Sequence, residues 1–207
     1  MRDTTRKLWD KQNQYPGDRL RLFRAVREFT SPTTALYAGS YVDIAPSFVF
    51  PNVTYVDVDR RAKTFFDDED GVREIIADEA GGRVSAAFSF MHSDYSKLDV
   101  APETFDLLIS LYAGFISEHC TGFLKIGGCL LVNPSHGDVA LASLDPRYRL
   151  AAVVLSAAGD YRVSKADLCT YMQPKNAVEL TRESLFASNR GIDYTRPAFA
   201  YLFERIA

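Results

Sequence analysis

The sequence is short of the residues that staple or anchor small proteins. Cys120, Cys129 and Cys169 are odd in number and lack CxxC spacing, so they read as reduced, half-buried thiols of a cytosolic protein, not a disulfide frame or a zinc site. No long uncharged hydrophobic span occurs, and no apolar run follows a basic N-terminal stub. Neither membrane spanning nor secretion is therefore expected, and the expected location is the cytoplasm. A charge excess is missing as well. The net charge of -3 and pI of about 5.6 give no general attraction for nucleic acid. Internal repeats and low-complexity linkers are absent. Glycine is scarce where it matters most: LYAGSYVDIAP, residues 36–46, runs from an apolar strand into a loop of small residues, yet carries only Gly39.

What is present is a core. At 207 residues and 47% hydrophobic content the chain can bury one substantial interior, as a single α/β domain with additions. RLRLFRAVREF puts Leu20, Phe23 and Val26 on one helix face, and Thr30-Ser31-Pro32 ends the pattern. Arg21, Arg24 and Arg27 fall on the other face, adding to Arg2, Arg6, Lys7 and Lys11. They form either a solvated surface or an anion-attracting flap beside a cleft. Residues 1–32 thus read as a helical extension to a domain over 33–207.

From Thr33 short apolar runs alternate with helices. TALYAG, NVTYVDVD, RVSAAFSF, FDLLISLYAG and GCLLVNP read as strands. DEDGVREIIADEAGG and SEHCTGFLKIGG read as helices stopped by Gly81-Gly82 and Gly127-Gly128. The acidic run in AKTFFDDED reads as a helix start at the positive end of the dipole, and nothing in it has metal-ligand spacing. Such alternation implies a parallel sheet with helices on both faces. After Pro134 the rhythm changes. YRLAAVVLS, a turn at AAGD and YRVS read as a hairpin, and Ser164 as the cap of a short helix through ADLCTYM. ESLFASNRG reads as a helix closed by Gly191, and AFAYLFERI as a last strand. The sheet should therefore end in antiparallel strands.

Ligands of an open parallel sheet bind beyond the carboxyl ends of its strands, near the reversal of strand order. Those ends carry Gly39, Ser40 and Tyr41; Asp57 and Asp59; Asp94 and Tyr95; Tyr112, Ala113 and Gly114; and Asn133, Ser135 and His136. Asp57 lies 18 positions past Gly39, near the spacing of roughly 20 at which an acid meets ribose hydroxyls. Ending a strand is the alternative, and Asp59 fits the role of a cap for RRAKTFF better. Asp94, in HSDYSKLD, either meets a nucleobase amino group or simply makes a turn.

The order LYAGS, YVDVD, HSDYSKLD, FDLLISLYAGF and LKIGGCLLVN, over roughly residues 33–134, resembles the class I S-adenosylmethionine-dependent methyltransferases. Y-x-G-S-Y-x-x-x-x-P-S-F, from Tyr37 to Phe48, resembles a bacterial subgroup of that family. The resemblance implies an α/β, doubly wound, Rossmann-like fold with a mostly parallel sheet, and S-adenosylmethionine as cofactor. It implies that Gly39 and Ser40 meet the methionine portion, Asp57 the ribose and Asp94-Tyr95 the adenine, with Tyr41, Asp43 and Val58 also among the cofactor-binding residues. Leu111 and Tyr112 would lie near the methyl group. Tyr37 stands where the family keeps an acid, and Tyr41 and Asp43 replace its later glycines. Asp43 either pairs with the cofactor's ammonium group or caps the turn before Ile44-Ala45-Pro46.

Methyl transfer from a sulfonium is an in-line displacement, so alignment and exclusion of water come first. His136, in NPSHGD, is the candidate general base if the acceptor must lose a proton, with a Gly-containing turn as its plainer role. Tyr112 either lines the methyl path or packs in the core. His92 reads as structural and His119 as an exposed helix residue. NPSH is like the NPPY-type motif of amino-directed nucleic-acid methyltransferases, but it follows the fifth strand where that motif follows the fourth. The expectation is a methyltransferase for a small-molecule acceptor. A methyltransferase-like scaffold without activity and another nucleotide-using Rossmann enzyme are the alternatives.

Overall fold

The computed structural model describes residues 1–81, 86–177 and 180–207. Eight strands form one sheet: β1 (Thr34–Ala38), β2 (Asn52–Asp57), β3 (Ala87–His92), β4 (Phe105–Ser110), β5 (Leu124–Val132), β6 (Tyr148–Ala157), β7 (Asp160–Ser164) and β8 (Ala200–Arg205). Their order is β3-β2-β1-β4-β5-β8-β6-β7. The first five are mutually parallel, and β8, β6 and β7 continue with antiparallel pairings. Strand order reverses between β1 and β4, and this reversal opens a crevice at the carboxyl edge. Arg83–Ser85 of the run expected as the third strand lie outside the described residues, and β3 itself reaches on to His92.

Helices cover both faces. On one side α1 (Asp3–Gln12) and α2 (Asp18–Thr30) pack with α3 (Arg60–Phe66) and α4 (Glu69–Ala80). Leu22, Phe23 and Val26 of α2 are fully buried there. Asp68 fastens α1 by accepting from the Arg2 amide at 2.7 Å and the Thr5 hydroxyl at 2.6 Å. Arg21 holds α2 to the β6–β7 turn through the Gly159 carbonyl at 2.6 Å, and Arg27 donates to the Val49 carbonyl at 2.9 Å. On the other side lie α5 (Ile116–Cys120) and α6 (Asp138–Leu144), with α7 (Arg182–Ser188) packed outside α6.

Three local expectations are corrected. LKIGG does not end a helix; it opens β5, and α5 stops at Cys120 before a 3-10 turn. Gly127 takes φ 81°, and the β4–β5 register shifts between Phe105 and Leu107. The two glycines thus form an irregularity inside a strand. Asn189, left-handed at φ 47°, closes α7 in place of Gly191. A Cβ on Gly191 would overlap the Pro134 carbonyl, so that glycine serves a chain crossing. ADLCTYM is a 3-10 segment over Leu168–Met172 flanked by Asp167, with Ser164 accepting only from the Ala166 amide at 3.3 Å.

The Tyr37-to-Phe48 motif folds into the core. Pro46 and Phe48 lie in a 3-10 turn, and Phe48 meets Trp9 of α1 edge-on at 5.8 Å. Tyr55 of β2 sends its hydroxyl beneath this turn, 2.6 Å from Ser47 Oγ and 3.2 Å from the Ile44 carbonyl. Replacing Tyr55 by Phe leaves Ser47 without that buried partner. The expected loss is about 1–3 kcal/mol, read as a lower urea midpoint with an unchanged slope.

Candidate functional site

The loop after β1 is built around a relocated acid. Asp43, 2% exposed, accepts from the Tyr37 hydroxyl at 3.1 Å and the Ala45 amide at 3.2 Å. Arg19 of α2 places Nε 3.6 Å from the same carboxylate. Burial pushes the Asp43 pKa up, and the Arg19 guanidinium opposes that shift. Asp43 is thus turned into the core, away from the crevice. The Gly39 and Ser40 amides donate to the Val56 carbonyl at 2.8 and 3.3 Å, and the Tyr41 amide to Asp57 Oδ2 at 2.7 Å. The loop is therefore shaped by pairing with β2.

Two tyrosines beside the crevice share a device. Tyr41 (φ 49°) and Tyr112 (φ 62°) are left-handed, at about 1–2 kcal/mol for a residue with a Cβ. A side-chain acceptor holds each amide: Asp57 for Tyr41, and Asn133 Oδ1, at 3.0 Å, for Tyr112. A guanidinium covers each ring, Arg61 at 5.1 Å and Arg19 at 5.6 Å from the centroids.

A cavity of about 750 Å³ opens at the ends of β1 to β5. On one side stand Gly39, Asp57, Val58, Ser93, Asp94 and Tyr95; on the other, Tyr112 to Phe115, His136, Phe186 and Asn189. Asp57 is oriented by two amides, Tyr41 on Oδ2 and Asp59 on Oδ1, the latter at 2.7 Å. Each carboxylate oxygen accepts more than one hydrogen bond, so capacity remains toward the cavity. Asp94 takes the Ser96 amide and hydroxyl on Oδ1 at 2.9 and 2.8 Å, and the amide bond is the chief reason its pKa is lowered. Its Oδ2 has no hydrogen-bond partner among the described residues. Val58, 62% exposed, has its carbonyl 3.0 Å from His92 Nε2.

Across the cavity a hydrogen-bond chain sets the His136 tautomer. The Tyr112 amide can only donate, so the Asn133 atom it meets is Oδ1. Ser135 Oγ donates to that oxygen at 2.9 Å and lies 2.8 Å from His136 Nδ1. With its proton committed to Asn133, Ser135 accepts from Nδ1–H, which leaves Nε2 as the lone-pair nitrogen. Beneath this turn Asp138 is fully buried, bonded by Ser110 Oγ at 2.6 Å and Ser117 Oγ at 2.5 Å. Burial raises its pKa to about 6 against these donors.

Gly39, Asp57, Val58, Asp94, Tyr95, Tyr112 and His136 therefore come together on one cavity. Ser40, Tyr41, Asp43 and Leu111 do not line it: Ser40 and Leu111 are each 2% exposed, and Tyr41 acts through its amide. Asp59 caps α3 by accepting from the Arg61 amide at 2.7 Å. His119 is exposed and packs on Tyr95. Arg19, Phe115, Phe186 and Asn189 escaped the sequence reading. For Phe186 and Asn189 the available signal was their place on a helix after the parallel half. Among the described residues no three His, Cys, Asp or Glu side chains gather as a metal-binding group, and no helix is long and apolar enough to cross a membrane.

Solved structures of similar fold can be set beside this geometry. N-methyltransferase NodS from Bradyrhizobium japonicum aligns over 94% of this chain and 99% of its own, with TM-score 0.51 and 11% identity. A presumed O-methyltransferase from Klebsiella pneumoniae aligns over 79% and 88%, with TM-score 0.50 and 11% identity. The fold is that of Rossmann-like methyltransferases. No family model and no curated protein matches the sequence.

Two outcomes follow for this methyltransferase fold. A Cβ on Gly39, at φ 68°, would overlap the Ala113 side chain. Gly39→Ala should lower stability by about 1–3 kcal/mol, and adding Ala113→Gly should restore part of it in chemical denaturation. Asp138, raised to about 6 from an ordinary value of ~3.9, binds its proton more tightly when folded. Its stabilising contribution is full below about pH 4 and is lost as pH rises through about 6. Asp138→Asn should remove this component, so the wild-type-minus-variant difference in urea midpoint should fall between pH 4 and 7.

Proposed function

We propose that the protein is an S-adenosylmethionine-dependent methyltransferase for a small-molecule acceptor, of the bacterial subgroup its Tyr37-to-Phe48 motif resembles. The observation that carries this reading is the division of one cavity between oriented carboxylates and an oriented imidazole. Asp57 would accept from ribose hydroxyls beside Val58, Asp94 Oδ2 from the adenine amino group beside Tyr95, and Gly39 would meet the methionine portion. When bound, the cofactor supplies a methyl group activated by a sulfonium. His136 Nε2 takes the acceptor's proton, and Ser135 and Asn133 stabilise the ring as it becomes charged. Tyr112, Phe115 and Phe186 exclude water. We place the reaction in the cytoplasm. The chain's net charge of -3 speaks against a nucleic-acid acceptor.

One fact favours a second reading, a scaffold that holds no cofactor: the Gly39, Ser40 and Tyr41 amides already have partners within the protein. Calorimetry with S-adenosylhomocysteine separates the two. The catalytic reading expects saturable binding, weakened about tenfold or more by Asp57→Ala, the scale of hydrogen bonds to a charged group. Absence of binding to the wild-type protein would leave the scaffold.

A further inference from the structure

The cavity is divided by charge. Both of its carboxylates, Asp57 and Asp94, belong to the β2 and β3 ends. Among the described residues, no Asp, Glu, Lys or Arg lines the half formed by the β4 and β5 ends and α7. It presents two open aromatic rings, Tyr112 at 54% and Phe186 at 41% exposure. Each ring already has a guanidinium over one face: Arg19 at 5.6 Å from the Tyr112 centroid and Arg182 at 5.8 Å from that of Phe186.

Both arginines are tethered, Arg19 to Asp43 and Arg182 to Glu118, and neither lines the cavity. These pairs offset part of each charge. Arg19 Nη1 nonetheless has no hydrogen-bond partner among the described residues. A ring whose π face is engaged by one cation attracts a second less well, whereas another arene still packs on it, offset or edge-on. An ammonium acceptor would find no carboxylate in this half and two rings already engaged by cations. A flat arene carrying a hydroxyl would find the Tyr112 ring and the edge-packed Phe115–Phe186 pair to lie against, and an acceptor for its proton at His136 Nε2.

We propose that the acceptor is an aromatic alcohol, a phenol in the chemical sense, methylated on oxygen. This rests on the methyltransferase reading of the same cavity. In the step the phenolic O–H bond breaks and its proton goes to His136 Nε2. The oxygen electron pair forms the new O–CH₃ bond, while the electron pair of the S–CH₃ bond stays on sulfur as a neutral thioether. The imidazolium then returns its proton to water. One positive charge enters as sulfonium and leaves as a proton, so the step balances.

The test uses 4-nitrophenol, whose phenolate band reports its protonation state directly. With the full chain and saturating S-adenosylhomocysteine, at a pH where the free probe is mostly protonated, saturable binding should come with a rise in phenolate absorbance. Phe186→Leu and Tyr112→Leu should each weaken that binding about fivefold or more, with far-UV circular dichroism as the check that the variants are folded. His136→Gln should lose the absorbance rise even at probe concentrations where calorimetry still detects binding. Benzylamine, a cation at the same pH, should not bind. If S-adenosylhomocysteine binds but the probe does not, or benzylamine binds in its place, the acceptor class is overturned and the methyltransferase reading stands. Probe binding indifferent to both ring variants overturns it equally. If S-adenosylhomocysteine itself fails to bind, both fall together.

Discussion

The structure turns on a buried carboxylate that a glycine-rich loop would not contain. Asp43 lies under the loop after β1 and draws in the Tyr37 hydroxyl from the strand, the Ala45 amide from the following turn and Arg19 from α2. An uncompensated buried carboxylate is costly, so the surrounding parts are bound to one another by the need to satisfy it. The loop thereby acquires its shape without the later glycines. The helical segment before β1 is thereby bound to the loop beside the site. Arg19, having met Asp43, is also the group that backs the Tyr112 ring.

From that lock the crevice follows in steps. Gly39 sits close against Ala113, which brings the β1 and β4 loops together where strand order reverses. Asp57 bridges the tightened loop to the end of its own strand, and Asn133 does the same for the β4 loop through the Tyr112 amide. Left-handed tyrosines are tolerated at both points because the acceptors are already in place. The cavity is thus pre-shaped by protein contacts, and the same contacts that shape it orient Asp57 and His136.

Much of this was legible along the chain, for a physical reason. Short apolar runs between helices announce a parallel sheet, and TALYAG, FDLLIS and the YRLAAVVLS–YRVS hairpin fold as read. Asp57, Asp94 and His136 reach the cavity because strand ends of such a sheet share one edge. LKIGG misleads because a glycine with positive φ serves a helix stop and a strand irregularity equally well, and only the neighbouring strand decides. The turn toward the core of Asp43 depends on Arg19, which approaches from a different element. Periodicity marks the apolar face of α2 but cannot say which of its arginines will reach the loop. Phe186 and Asn189 lie just upstream of the point where Gly191 crosses Pro134, a contact no local pattern encodes.

The position of β8 has a consequence for the order of events during folding. It follows the other seven strands in sequence yet pairs with β5 on one side and β6 on the other. A growing chain that has emerged only as far as residue 199 holds a five-strand parallel half and a separate hairpin, each with an unsatisfied edge. Those edges wait for a segment some seventy residues downstream of β5, and contacts of such long sequence separation form slowly. The joining of the two halves is thus a late event, and until then β5 and β6 are the edges most open to pairing with another chain.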